Sequence, residues 1–176
     1  MSQEVELELT YLAKTLPEGL ADCPNKLVVD VYYPVTAGHP VLRLRQNGDA
    51  YQITKKTIIE GTDSSRMREE TIHLSAEEFA GLTQNGGKRV AKRRYQYGYQ
   101  GHTAEVDVFE GALAGLVLVD FEFTDRGDQQ KFAMPEFCLA DVTQEAFVAG
   151  GMLAGAPYQD IAEELTRYGY RPLTLR

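Results

Sequence analysis

The segment EVELELTYL at residues 4–12 alternates without a break: Glu4, Glu6, Glu8 and Thr10 fall on one side, and Val5, Leu7, Leu9 and Tyr11 on the other. Successive side chains of an extended chain point to opposite faces, so a period of two commits the segment to a β-strand with one apolar face and one acidic face. The same signal recurs along the chain. KLVVDVYYP (26–34) is β-branched and aromatic and ends at Pro34, and PVLRLRQNGDAYQITKK (40–56) predicts a hairpin around Asn47-Gly48-Asp49. RMREETIHL (66–74) is a further strand. KRVAKRRYQYGYQ (88–100) and HTAEVDVFEG (102–111) predict a second hairpin around Gly101, and LAGLVLVDFEFTD (113–125) closes the series.

Helical signals are fewer. SAEEFAGLTQNGG (75–87) opens on Ser75 with Glu78 three residues on, a capping box, and the glycine pair stops it. Residues 143–154 and 157–168 predict two helices, and 126–132 reads as a polar connection. Strands joined by short turns pair antiparallel, and a set of about eight removes its exposed edges by closing into a barrel. The expected fold is mainly β with peripheral helices (α+β): one domain over residues 1–176, built on an eight-stranded antiparallel β-barrel.

The polar faces of half-buried strands ordinarily meet solvent. Here they are sorted by sign. Arg43 and Arg45 share one face, Lys56 follows Gln52 and Thr54 at strand spacing, and Lys92 and Arg94 share another face. Opposed to these are Glu6 with Glu8, Glu105 with Asp107, and Asp120 with Glu122, each pair two residues apart and so pointing the same way. If these faces turn into a barrel, its interior holds cations from some strands and carboxylates from others, which is costly without a charged guest. Carboxylate oxygens suit hard divalent cations, and arginine and lysine suit phosphate oxygens. The sorting points to a metal–polyphosphate site built from side chains, since no glycine-rich phosphate loop is present.

Composition narrows the partners. A net charge of −8 argues against a nucleic-acid backbone. No apolar run approaches the roughly 18 residues of a membrane span, and no signal-peptide pattern opens the chain. The two cysteines, Cys23 and Cys138, fit no metal spacing and read as reduced thiols. The expectation is a cytoplasmic protein acting on a small molecule, with the C-terminal helices over an outer face or a tunnel mouth, or at a homodimer contact.

An ordered set of short motifs resembles the CYTH superfamily, the triphosphate tunnel metalloenzymes. ELELT (6–10) stands at the Glu-x-Glu-x-Lys signature, followed by YLAKTLP, RLR (43–45), YQITKK (51–56), KRRY (92–95), EVDVFEG (105–111), GLVLVDFEF (115–123), PEF (135–137) and DVT (141–143). The resemblance implies a β-barrel tunnel that binds inorganic tripolyphosphate, a nucleoside triphosphate or thiamine triphosphate with Mg²⁺ or Mn²⁺. It implies hydrolysis of a terminal phosphate or, in one branch, cyclisation of ATP. Glu6, Glu8 and Glu122 match metal ligands, with Glu4 at the strand's solvent end. Arg43, Arg45, Lys56 and Arg94, with Lys92 beside it, match the triphosphate-binding cations. Asp107 and Asp120 match acids near the metal, either of which can accept a proton. In 66–74, Arg66, Arg68 and Glu70 share one face and Glu69 the other, a register the residues alone leave open; the flanking Ile72 favours Glu69 as the family match, and His73 would share its face. Three positions depart from the pattern: Thr10 replaces the signature lysine, Phe137 replaces a tryptophan, and Gly150 stands at an expected asparagine. Loss of the lysine removes one positive charge, so a slower hydrolase, a non-catalytic triphosphate-binding protein and a cyclase all remain open.

Overall fold

The computed structural model describes residues 2–175, with the side chains of residues 5–175. Nine strands run β1 (Ser2–Ala13), β2 (Asn25–Tyr33), β3 (Leu42–Asn47), β4 (Ala50–Ile58), β5 (Arg66–Leu74), β6 (Lys88–Tyr99), β7 (His102–Phe109), β8 (Val117–Phe123) and β9 (Cys138–Asp141). Their order is β5-β4-β3-β2-β6-β7-β8-β1, and β5 returns to pair with β1, so eight strands close into a barrel with every pairing antiparallel. β1 is the closing strand. Its first half pairs with β5 from Ser2 to Leu7, and its end, Tyr11–Ala13, pairs with β9.

Both expected hairpins form on two-residue loops. Gly48 opens the first at φ 61°, and Gln100 and Gly101 make the second with φ 47° and 82°. Those left-handed conformations match the right-handed twist of the paired strands. Helix α1 (Ala76–Thr83) has the predicted capping box and covers the outer face of β2–β4, with Phe79 against Val31, Leu44 and Tyr51.

Three elements differ from expectation. The polar connection is a short helix, α2 (Arg126–Lys131), capped by the Asp125 side chain, which accepts from Asp128 N at 3.0 Å. β9 is an additional strand of four residues. The helix expected over 143–154 breaks into a 3₁₀ turn, Ala146–Val148, and a single turn, α3 (Gly150–Leu153). The break falls at Ala149, whose extended backbone (ψ 137°) ends the 3₁₀ turn and precedes α3, and the glycine pair that opens α3 packs closely: Gly150 lies against the Tyr32 hydroxyl and Gly151 against the Pro40 carbonyl, with no room for a Cβ at either. The last helix, α4 (Tyr158–Arg167), forms as predicted.

The inward faces change character along the barrel. β1 carries Glu6, Glu8, Thr10 and then Leu12; β8 carries Glu122, Asp120 and then Leu118; β7 carries Glu105, Asp107 and then Phe109; β6 carries Arg94, Lys92 and then Val90; β2 carries Asp30 and then Tyr32. The five apolar residues pack with Val142, Val148, Leu153 and Ala154 from the C-terminal part of the chain. One end of the lumen is therefore filled by an apolar stopper, and the charged residues lie beyond it.

Candidate active site in the barrel lumen

Strand alternation brings together the predicted site residues except Glu122, which stands opposite Glu8 on the lumen-facing parity but is exposed. Lys56 on β4 faces Glu6 and Glu8 on β1 and Glu69 on β5, paired closely with Glu6 and 3.8 and 3.7 Å from the other two. The register follows from Lys56 standing opposite Glu69 in the β4–β5 ladder. Glu69, rather than the 66/68/70 series, is the residue of β5 that meets the lumen cations, and its other neighbour is Arg43 at 3.6 Å. His73 shares that parity but is exposed. The Glu4 side chain lies outside the described residues.

A second group surrounds Arg94. Its Nε and one terminal nitrogen donate to Asp107 at 2.7 Å each, the same nitrogen reaches Asp120 at 3.3 Å, and the other terminal nitrogen pairs with Glu105. Lys92 pairs with the second Asp107 oxygen. A third group is set by Asp30, which the sequence reading did not single out. It accepts from Arg45 Nε and Nη2, both at 2.7 Å. A lone acid centred in the apolar run KLVVDVYY, on the parity that faces Arg45, was the available signal.

Among the described residues seven carboxylates, Glu6, Glu8, Asp30, Glu69, Glu105, Asp107 and Asp120, form ion pairs in the lumen with five cations, Arg43, Arg45, Lys56, Lys92 and Arg94, and Glu122 adds an exposed carboxylate at the rim. The excess of acid shows in the proton affinities. Burial, then the nearby Glu8 and Asp107, pushes Asp120 up to about 7. Burial also pushes Glu6 up to about 7, against the opposing Lys56 and with the help of the neighbouring Glu69. Glu122 is raised by burial and by Glu105 and Glu8. Asp107 behaves oppositely: burial would raise it, but Arg94 and Lys92 outweigh that and hold it at about 2. Burial and the adjacent Arg94 and Arg45 lower Lys92, more than Asp107 offsets.

The donor set fits a hard divalent cation. Glu8 and Glu122 are directly opposed in the β1–β8 ladder, and the Lys56 ammonium already serves as the cation between Glu6, Glu8 and Glu69. Among the described residues no three His, Cys, Asp or Glu groups converge as a ready-made cage.

Thr10 donates to Asp120 Oδ1 at 2.9 Å and lies 3.4 Å from Glu8 Oε1, while its backbone N–H donates to Thr143 Oγ1. Phe137 packs edge-on against Tyr97 and Tyr99. Gln129 on α2 is buried and donates to the carbonyls of Glu8 and Ser65, tying β1 to β5 where β1 leaves that strand.

A closed antiparallel barrel with apposed cationic and acidic walls defines the class of charged-lumen barrel proteins. No family model matches the chain. An inorganic triphosphatase of Nitrosomonas europaea is 34% identical over 143 residues, 80% of this chain and 90% of that protein. A crystal structure of an inorganic triphosphatase, 28% identical, covers 86% of this chain and 95% of that one with a TM-score of 0.62. An adenylate cyclase-like protein of Bacillus halodurans, 14% identical, covers 100% and 96% with a TM-score of 0.54, a likeness of fold alone. The chain belongs to the family of the Nitrosomonas triphosphatase, within the CYTH superfamily.

Proposed function

We propose that the chain hydrolyses a triphosphate, with inorganic tripolyphosphate as the first candidate and nucleoside and thiamine triphosphates as others, and that it uses Mg²⁺ or Mn²⁺. The observation that carries this reading is the meeting of five cations and seven carboxylates in one closed lumen, in a chain 34% identical to an inorganic triphosphatase. Arg43, Arg45, Lys56, Lys92 and Arg94 bind and orient phosphate oxygens, which is most of what phosphoryl transfer asks of a protein. The excess of acid opposes a polyanion, so entry of a triphosphate calls for added positive charge. Glu6, Glu8 and Glu122 would hold the divalent ion, which when bound neutralises phosphate charge and activates water.

Asp120 suits the proton-accepting role better than Asp107. Asp107 is fully buried and held on both oxygens by Arg94 and Lys92, which makes it the counter-ion that orients those cations. Asp120 is oriented by the Thr10 hydroxyl and Arg94, and its affinity near pH 7 suits proton transfer in neutral solution. One specific observation favours a second reading, triphosphate binding without turnover: the uncharged Thr10 at the lysine position. A screen of tripolyphosphate, ATP, GTP and thiamine triphosphate with Mg²⁺ and Mn²⁺ separates the readings. Phosphate release supports hydrolysis, tight binding without release supports the second reading, and cyclic AMP from ATP would identify a cyclase.

A further inference from the structure

Asp30 lies in the layer of the lumen next to the apolar stopper, one alternation before Tyr32, and is 3% exposed. It stands opposite Arg45 in the β2–β3 ladder and holds one whole edge of that guanidinium. Among the described residues the remaining nitrogen of Arg45, Nη1, makes no hydrogen bond. Arg43, two residues away on the same face, is held differently. Its Nε is 3.9 Å from Asp30, its Nη2 is 3.6 Å from Glu69, and the buried Nε has no hydrogen-bond partner among the described residues. A buried cationic donor left unsatisfied is costly, and the group that satisfies it must bring an acceptor oxygen.

We propose that Asp30 is a positioning residue. By fixing one edge of Arg45 it leaves the other edge of Arg45 and the Arg43 Nε as a two-arginine seat for one phosphoryl group, at the stoppered end of the lumen. This rests on the triphosphate reading above. The rigid planar fork of arginine makes such a grip possible, and a lysine could not be held in the same way. The proposal runs against simple charge matching. A carboxylate at this depth repels a polyphosphate, so a pure Coulomb account predicts tighter binding once the charge is removed.

Asp30→Asn keeps the shape and removes the charge, and is tested in the intact chain by calorimetric titration with tripolyphosphate and Mg²⁺, together with KM and kcat for phosphate release. The expected result is binding weakened about tenfold or more, with KM raised and kcat little changed. Arg45→Lys should weaken binding in the same direction, and the double variant should lose little beyond either single one, because both act on one contact. Tripolyphosphate binding by Asp30→Asn that is unchanged or tighter overturns the inference. If that variant does not fold, unchanged binding by Arg45→Lys overturns it. An unaltered chain that fails to bind tripolyphosphate overturns the triphosphate reading and the inference with it, whereas normal binding by the unaltered chain and by Asp30→Asn alike overturns the inference alone.

Discussion

Thr10 and Asp120 stand directly opposite each other in the β1–β8 ladder, and the Thr10 hydroxyl donates to Asp120 at 2.9 Å. A hydroxyl here orients a carboxylate without neutralising it, so the acid excess of the lumen is undiminished at this position.

Thr10→Lys therefore tests how far the natural protein is weakened. The account predicts a turnover of tripolyphosphate raised about tenfold or more, since a charged positioning contact contributes on that scale. Thr10→Val removes the hydroxyl's contacts with Asp120 and Glu8 and should cost about 1 kcal/mol of stability. Initial rates and thermal melts of both variants check these outcomes. A Thr10→Lys protein no faster than the parent would mean that Thr10 serves a different chemistry.

Divalent cations and pH should act on stability together. Glu6 and Asp120 are both pushed up to about 7, by burial first, then by Glu69 for Glu6 and by Glu8 and Asp107 for Asp120. Between the unfolded carboxylate range near 4 and pH 7, the folded chain thus binds more protons than the unfolded chain, and metal-free stability falls as pH rises through that window. Mg²⁺ should raise the melting temperature at pH 8 and do little at pH 5, because its ligands must first lose their protons. Asp120→Asn should flatten the metal-free decline. Melts from pH 4.5 to 8 with and without Mg²⁺ decide the matter, and a metal-free stability that climbs across that range would contradict it.

The barrel and the membership of its charged faces were legible because period-two alternation is a local signal, and each strand carries it independently. Glu69 was placed by the flanking Ile72, which put it on the lumen side of β5. What was not legible depends on contacts between distant segments. The helix expected over 143–154 is broken at Ala149, after which Gly150 and Gly151 seat closely on Tyr32 and Pro40, more than a hundred residues earlier. α2 is too short and too polar to show a helical face, and its role rests on Gln129 reaching two carbonyls of other elements. Asp30 gave no partner in its own strand, and only the ladder with β3 supplies one.

The stopper makes its own prediction. Gly151→Ala drives a Cβ into the Pro40 carbonyl, a backbone atom with little freedom to yield. Overpacking of this kind costs about 1–3 kcal/mol, which corresponds to a fall in melting temperature of roughly 2–4 °C per kcal/mol for a chain of this size. A melt that leaves the transition unchanged would show that segment 146–154 packs less tightly against the barrel.

Gln129→Leu should also destabilise. It takes the Gln129 amide from the Glu8 and Ser65 carbonyls at the seam between β1 and β5, where Ser65 keeps the Glu8 N–H at 3.1 Å, at a cost of about 1 kcal/mol. Amide hydrogen exchange should be faster in the first half of β1 and at the start of β5 than in the β6–β7 hairpin, and uniform acceleration would contradict a local role.

The most direct test of the central claim is phosphate release from tripolyphosphate with Mg²⁺ or Mn²⁺, compared between the unaltered chain and Glu6→Gln/Glu8→Gln. The account predicts turnover by the first that stops when the divalent cation is chelated. The double variant should show none, with a melt confirming that the barrel is still folded. Undiminished, metal-independent turnover in the double variant would contradict it.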